Sequence, residues 1–251
     1  MTTYVLVGGA WLGAWAWQDV ARRLWAHGHE VYPLSLTGLG NRVHLASPSV
    51  NLETHIADIV NTLESEDLHD VVLVAHSYSG APVTGAADRA ASRIAQLVFV
   101  DSAPLLDGMA FIEVYGPEGR PIVERAVAEQ GDGWRWPLPS WDVLENTFGA
   151  SLAGVTEEQR RRFRAFASPQ PFGSFTQPLR LTQPDATPLP KLAVLCEFSE
   201  AQLREMIAAG HPYALCMSGP EWRFVELPTS HWPMFSEPDR LTDILDKAGH
   251  A

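Results

Sequence analysis

Ser77 sits where a serine can be turned into a nucleophile. It follows the apolar run Val71-Val72-Leu73-Val74-Ala75 and His76, and it precedes Tyr78-Ser79-Gly80 and a small-residue stretch from Ala81 to Ala91. A sharp strand-to-helix turn thrusts the hydroxyl of its central residue out at the end of a sheet. Such a turn closes only if the residues two before and two after are small. Here Ala75 and Ser79 stand where the usual G-x-S-x-G form has glycines.

A serine hydroxyl is scarcely ionised at neutral pH, so this chemistry needs a base, and imidazole has the suitable pKa. Of the nine histidines, His231 follows the run Phe224-Val225-Glu226-Leu227 in the loop Pro228-Thr229-Ser230-His231-Trp232-Pro233. In a parallel sheet that loop opens at the same edge as Ser77. His76 is adjacent to Ser77 in the chain, so its side chain should point away and serve the structure. His27, His29, His44, His55, His69, His211 and His250 have no strand end beside them and are expected on the surface or satisfied in the core.

The imidazole in turn needs a carboxylate to hold one tautomer and stabilise its charged form. Leu97-Val98-Phe99-Val100 runs directly into Asp101, whereas Cys196-Glu197-Phe198-Ser199-Glu200 offers Glu197 and Glu200 as alternatives. An acid closing an apolar strand is costly unless it is paired or functional, which favours Asp101. The loop Gly8-Gly9-Ala10-Trp11-Leu12-Gly13 after the first apolar run fits neither a dinucleotide G-x-G-x-x-G nor a phosphate-binding Lys-Ser/Thr pattern. It reads instead as a backbone donor loop in which the amides of Ala10 and Tyr78 would face a developing oxyanion.

The elements that must position these groups alternate in type. Strands are predicted near Tyr4–Val7, Glu30–Leu34, Val71–Ala75, Leu97–Asp101, Leu192–Cys196 and Trp222–Leu227. Helices are predicted over Trp15–His27, Leu52–Ser65, Ala81–Ala91, Glu200–Ala209 and Pro238–Ala248. The pattern implies an α/β fold with a mostly parallel sheet of six strands flanked by helices. Residues 105–187 break the alternation and are rich in Trp, Phe, Pro and Gly, which predicts a largely helical cap inserted into a core of residues 1–104 and 188–251. Such an insertion would lie over the C-terminal ends of the strands, where open α/β sheets bind ligands. Trp11, Trp134, Trp136 and Trp232 could line an apolar pocket there.

The order Ser77, Asp101, His231 resembles the nucleophile, acid, base order of the α/β-hydrolase superfamily. Val5 to Trp17, Leu36-Thr37-Gly38-Leu39-Gly40 and Ala75 to Gly80 are similar to the oxyanion loop, second-strand loop and elbow of its small-esterase branch, which includes plant methylesterases and hydroxynitrile lyases. Three positions depart from that branch. Gly8 stands where relatives typically carry histidine. The acid follows the fourth strand, whereas relatives commonly carry it after the fifth. Trp232 follows His231 where cyanohydrin-cleaving members place lysine. The resemblance implies a serine esterase acting on a hydrophobic or aromatic ester, a methyl ester or lactone among them, with no cofactor and no metal. The alternatives are a lyase using the same triad and a catalytically silent small-ligand receptor.

Bulk properties set the remaining expectations. A chain of 251 residues with 46% hydrophobic content can bury a full core. A net charge of −12 argues against nucleic acid or anionic membrane as partners and leaves a small-molecule substrate and a monomer or homodimer. The run Arg160-Arg161-Arg162 with Arg164 follows Glu157-Glu158 at helical spacing and reads as a solvated face with local ion pairs. Cys196 and Cys216 lie in apolar stretches, no signal-like or membrane-spanning run occurs, and a cytoplasmic location is expected.

Overall fold

In the computed structural model, which describes residues 1–183 and 189–249, the six apolar runs form one parallel sheet. Its strands are β1 (Thr3–Val7), β2 (Glu30–Leu34), β3 (Val71–His76), β4 (Ile94–Val100), β5 (Lys191–Leu195) and β6 (Trp222–Glu226). They lie in the order β2-β1-β3-β4-β5-β6, every neighbour parallel. All six residues of β3 are buried, the signature of a strand covered on both faces, and this is why it reads as an unbroken apolar run. The chain crosses from β2 over β1 to β3, so the strand order reverses between β1 and β3. A crevice for ligands opens at such a point, beyond the C-terminal ends of the strands.

Helices α1 (Gln18–Ala26), α2 (Leu52–Ser65), α3 (Gly80–Ala90), α4 (Gly116–Gln130), α5 (Glu157–Phe166), α6 (Glu200–Ala208) and α7 (Pro238–Ala248) connect or flank these strands. Their starts are written locally: Asn51, Thr156 and Ser199 cap α2, α5 and α6 in reciprocal bonds with Thr54, Gln159 and Gln202. Each such cap is worth about 1 kcal/mol. The helix predicted over Trp15–His27 is divided, a 3₁₀ turn at Ala14–Trp17 leading into α1.

Between β4 and the described start of β5, residues 105–183 hold α4, α5 and an antiparallel bridge of Arg135–Trp136 with Gln170–Pro171. The predicted boundary at 187/188 and His250 lie outside the described residues. Aromatic edges join this segment to the sheet side. Trp136 packs on Trp11 with ring centroids 4.7 Å apart, Phe175 stacks on Tyr78 at 4.9 Å, and Phe163 meets Trp232 at 5.5 Å. The arginines of α5 do not pair with Glu157 or Glu158 among the described ion pairs. Arg162 instead reaches Gln18 and Asp19 on α1, and Arg164 lies over the Trp141 ring. Neither Cys196 nor Cys216 forms a disulfide, and no described helix is long and apolar enough to cross a membrane.

Candidate active site

Ser77 begins the single turn that joins β3 to α3, with its backbone in the left-handed region at φ 51°. A residue with a side chain is held there only when its surroundings over-determine it. Ser79 Oγ accepts the His76 N–H at 2.7 Å and lies 2.9 Å from the carbonyl of Val7, tying the turn to β1. Ser102 Oγ donates to the Ser77 carbonyl at 2.6 Å, and a Cβ on Gly80 would come within 2.2 Å of the Ala103 carbonyl oxygen. The turn therefore needs a hydroxyl at position 79 and the close approach of Gly80 as much as small size.

His231 stands on the loop after β6 and its Nε2 is 2.9 Å from Ser77 Oγ. The loop is held by its backbone: the His231 N–H donates to the Ser151 carbonyl at 2.9 Å, and its carbonyl accepts from His76 Nε2 at 2.8 Å. On the far side of the ring, Nδ1 is 2.5 Å from Asp101 Oδ2. Ser77, His231 and Asp101 thus form one line of hydrogen bonds, with Nδ1–H donating to the acid and Nε2 accepting from the serine.

Asp101, like Ser77, has a positive φ, of 43°, directly after its strand. Its other oxygen, Oδ1, accepts the Cys196 N–H at 3.2 Å. Glu197 is also drawn in: its Oε2 lies 3.3 Å from His231 Nδ1, and its Oε1 accepts the Ser151 N–H. Glu200 is elsewhere, pairing with Arg204 one turn along α6, so it is not an alternative acid for this base. Burial opposes a charge on His231, but Asp101 and Glu197 outweigh it and raise its pKa above the ordinary imidazole range. Burial raises the carboxyl of Asp101, while at Glu197 the neighbouring imidazole and the Ser151 amide overcome burial and lower it.

The loop after β1 approaches from the opposite side. A Cβ on Gly9 would meet His76 Nδ1 and Ser77 Cβ, each at 2.8 Å, so only glycine lets the loop lie this close. The Gly9 N–H donates to His76 Nδ1 at 3.2 Å. Trp11, also left-handed at φ 63°, has its amide engaged by Gln170 Oε1 at 3.1 Å and its indole N–H by the Trp136 carbonyl at 3.0 Å. The Ala10 amide has no partner among the described residues, and the Tyr78 amide falls in the first turn of a helix, where N–H groups lack intrahelical partners.

These groups open into a cavity of about 500 Å³, mainly apolar, within the range of small-molecule sites. Met109, Phe111, Tyr115, Leu144 and Phe148 of the inserted segment wall it, with Trp11 and Trp232. Trp134 and Trp136 do not. Trp136 is sealed inside an aromatic cluster with Tyr115, Phe148 and Phe175, and Trp134 lies beneath the Arg135 guanidinium. Ser102 and Gln170 are supports that residue-by-residue reading misses. Only the adjacency of Ser102 to Asp101 could have pointed to the first, and nothing local marks the second.

Donor atoms of Asp101, Glu197 and His231 gather within 4.8 Å of one another, as do those of His27, His29 and Asp246. In the first set the hydrogen bonds given above already satisfy both imidazole nitrogens. In the second, His29 Nδ1 accepts the Thr2 N–H while Nε2 meets Asp246 at 2.7 Å, a pattern that needs a proton on Nε2 where a metal would sit.

A family model described as the alpha/beta hydrolase family matches residues 4–244. The chain is 31% identical over 255 residues to a carbendazim hydrolyzing esterase of Nocardioides sp. (strain SG-4G), covering 99% of this chain and 100% of that protein. It is 41% identical over 103 residues to Methylesterase 9 of Arabidopsis thaliana, covering 41% of this chain and 40% of that protein. Among solved structures, an extracellular alpha/beta-hydrolase from a Paenibacillus species superposes with a TM-score of 0.81 at 24% identity over the whole of both chains. A pyrethroid hydrolase from Sphingobium faniae JZ-2 gives 0.76 at 22% identity, covering 100% of this chain and 98% of that one. Both share the fold.

Proposed function

Because the chain belongs to the alpha/beta hydrolase family, we propose that it hydrolyses carboxylic esters of hydrophobic or aromatic small molecules through an acyl-enzyme on Ser77. The observation that carries this reading is the unbroken line from Ser77 Oγ through His231 to Asp101 at the floor of an apolar cavity. His231 Nε2 takes the hydroxyl proton as Ser77 Oγ bonds to the ester carbonyl carbon. The resulting imidazolium is stabilised through Nδ1. The oxyanion is received by the amides of Ala10 and Tyr78, each such preorganised donor supplying about 3 kcal/mol. His231 then returns the proton to the departing alkoxide. Water, deprotonated by the same nitrogen, releases the acid and restores Ser77.

The names of the relatives, a carbendazim hydrolyzing esterase and methylesterases, support an ester bond with a small alcohol part as the scissile group. The aromatic wall of the cavity supports a flat or apolar acyl part. The resemblance to cyanohydrin-cleaving members would call for a lysine beside His231, where this chain has Trp232, and among the described cavity-lining residues there is neither lysine nor arginine.

Incubation with a fluorophosphonate followed by peptide mass analysis should find the adduct on Ser77, and a panel of p-nitrophenyl and aryl methyl esters should be turned over. Unlabelled Ser77 in folded protein would favour the receptor reading. Release of an aldehyde or ketone without uptake of water would favour the lyase.

A further inference from the structure

We infer that Glu197 is a second carboxylate for the same base, a positioning residue that shares His231 with Asp101 and joins it, through Ser151, to the inserted segment. This rests on the reading of Ser77 and His231 given above. The two acids come from neighbouring loops, Asp101 after β4 and Glu197 after β5. They approach one ring nitrogen, Nδ1, with oxygens at 2.5 and 3.3 Å. The remaining oxygen of Asp101 is held by the Cys196 N–H, and that of Glu197 by the Ser151 N–H. Ser151 in turn accepts the N–H of His231 through its own carbonyl. One residue of the insertion therefore clips both the second acid and the base.

Two carboxylates this close, Asp101 buried and Glu197 with 23% of its side chain accessible, repel each other when both are ionised unless positive charge lies between them. The groups that face His231 are few. Ser77 comes from the turn after β3, Asp101 and Glu197 from the next two strand ends, the Ser151 backbone from the insertion, and Trp232 from its own loop. His76 also faces it, and as Nδ1 accepts from Gly9 and Nε2 donates to the His231 carbonyl, it is neutral. Glu113 and His211 line the same cavity without an ion pair or hydrogen bond to the base. The protonated form of His231 gains from both acids, and it must give up its Nε2 proton before that nitrogen can accept from Ser77. A relay so built frees its base at a higher pH than one with a single acid.

The test follows the rate of fluorophosphonate labelling of Ser77 against pH in the full-length protein and in Glu197→Gln, Asp101→Asn and the double variant. Glutamine keeps an oxygen for the Ser151 N–H and removes only the charge. The acid limb of Glu197→Gln should move down by about one pH unit or more. Asp101→Asn should keep measurable labelling, and adding Glu197→Gln should cost at least about ten-fold more. An acid limb that stays in place, or a double variant as fast as Asp101→Asn, would reduce Glu197 to a support for Ser151 and overturn the inference alone. Wild-type protein unlabelled at every pH would overturn the nucleophile reading with it. Should Glu197→Gln not fold, Glu197→Asp withdraws the charge from Nδ1 and should move the limb in the same direction by less.

Discussion

His76 and His231 are joined by a hydrogen bond from the His76 Nε2–H to the His231 backbone carbonyl, 2.8 Å long, while His76 Nδ1 holds the Gly9 amide. One buried imidazole thus fixes the loop after β1 and the loop after β6 to each other. Burial and the nearby His231 ring push its pKa down to about 3, so it stays neutral and keeps both bonds. His76→Leu should slow Ser77 labelling about 100-fold, the effect of moving reacting groups by about an ångström. The urea midpoint should fall as well, because the Gly9 amide loses its acceptor. Unchanged labelling would show that the two loops hold their places independently.

Ser77→Ala should lower ester turnover by about 10⁶-fold, and adding His231→Ala should cost little more, since the two act on one proton. Losses that multiply would contradict a shared step. Glu200→Gln should leave turnover within about two-fold, because it breaks only the pair with Arg204 on the surface of α6.

Gly9→Ala should be damaging out of proportion to one methyl group. The new carbon would meet His76 Nδ1 and Ser77 Cβ at 2.8 Å each, and both are held too firmly to yield. Overpacking of this kind costs about 1–3 kcal/mol, which denaturant melts would register. Labelling of Ser77 should drop with it, as the loop is pushed back from the serine.

His55 makes stability depend on pH. It is fully buried, its Nδ1 2.8 Å from the Tyr78 hydroxyl and its Nε2 2.9 Å from the Thr37 carbonyl, and burial lowers its pKa to about 4. The unfolded chain binds that proton near pH 6.5 and the folded chain does not, so stability is present above that value and is lost as pH falls from there toward 4. Between pH 7 and pH 5 the loss should be about 2 kcal/mol from this residue. His55→Gln should be less stable at pH 7 but should show a shallower decline over the same interval. Parallel declines in the two proteins would mean that another group carries the effect, His76 being common to both.

The sheet was legible because strands buried on both faces must be continuously apolar, and runs such as Val71 to Ala75 have little else they can be. Ser77 and Asp101 could be singled out for a related reason: a polar side chain that closes such a run needs an explanation. Glu197 could be offered only as one of two acids, since its distance from Ser151 and His231 in the chain hides their meeting in space. The same holds for Gln170, which reaches across 159 residues to the Trp11 amide. Composition marked the inserted segment as aromatic but could not say which rings face outward. Trp136 proved to be filling, while Phe111, Tyr115 and Phe148 form the wall.

The sheet order gives the parts of the candidate site unequal footing. Donor loop, serine and acid issue from β1, β3 and β4, three strands side by side at the middle of the molecule, whereas the imidazole arrives from β6 at the rim. Gentle heating or dilute urea should therefore loosen the outermost strand first and silence the enzyme while most of its helical signal survives, so that thermal inactivation runs ahead of melting.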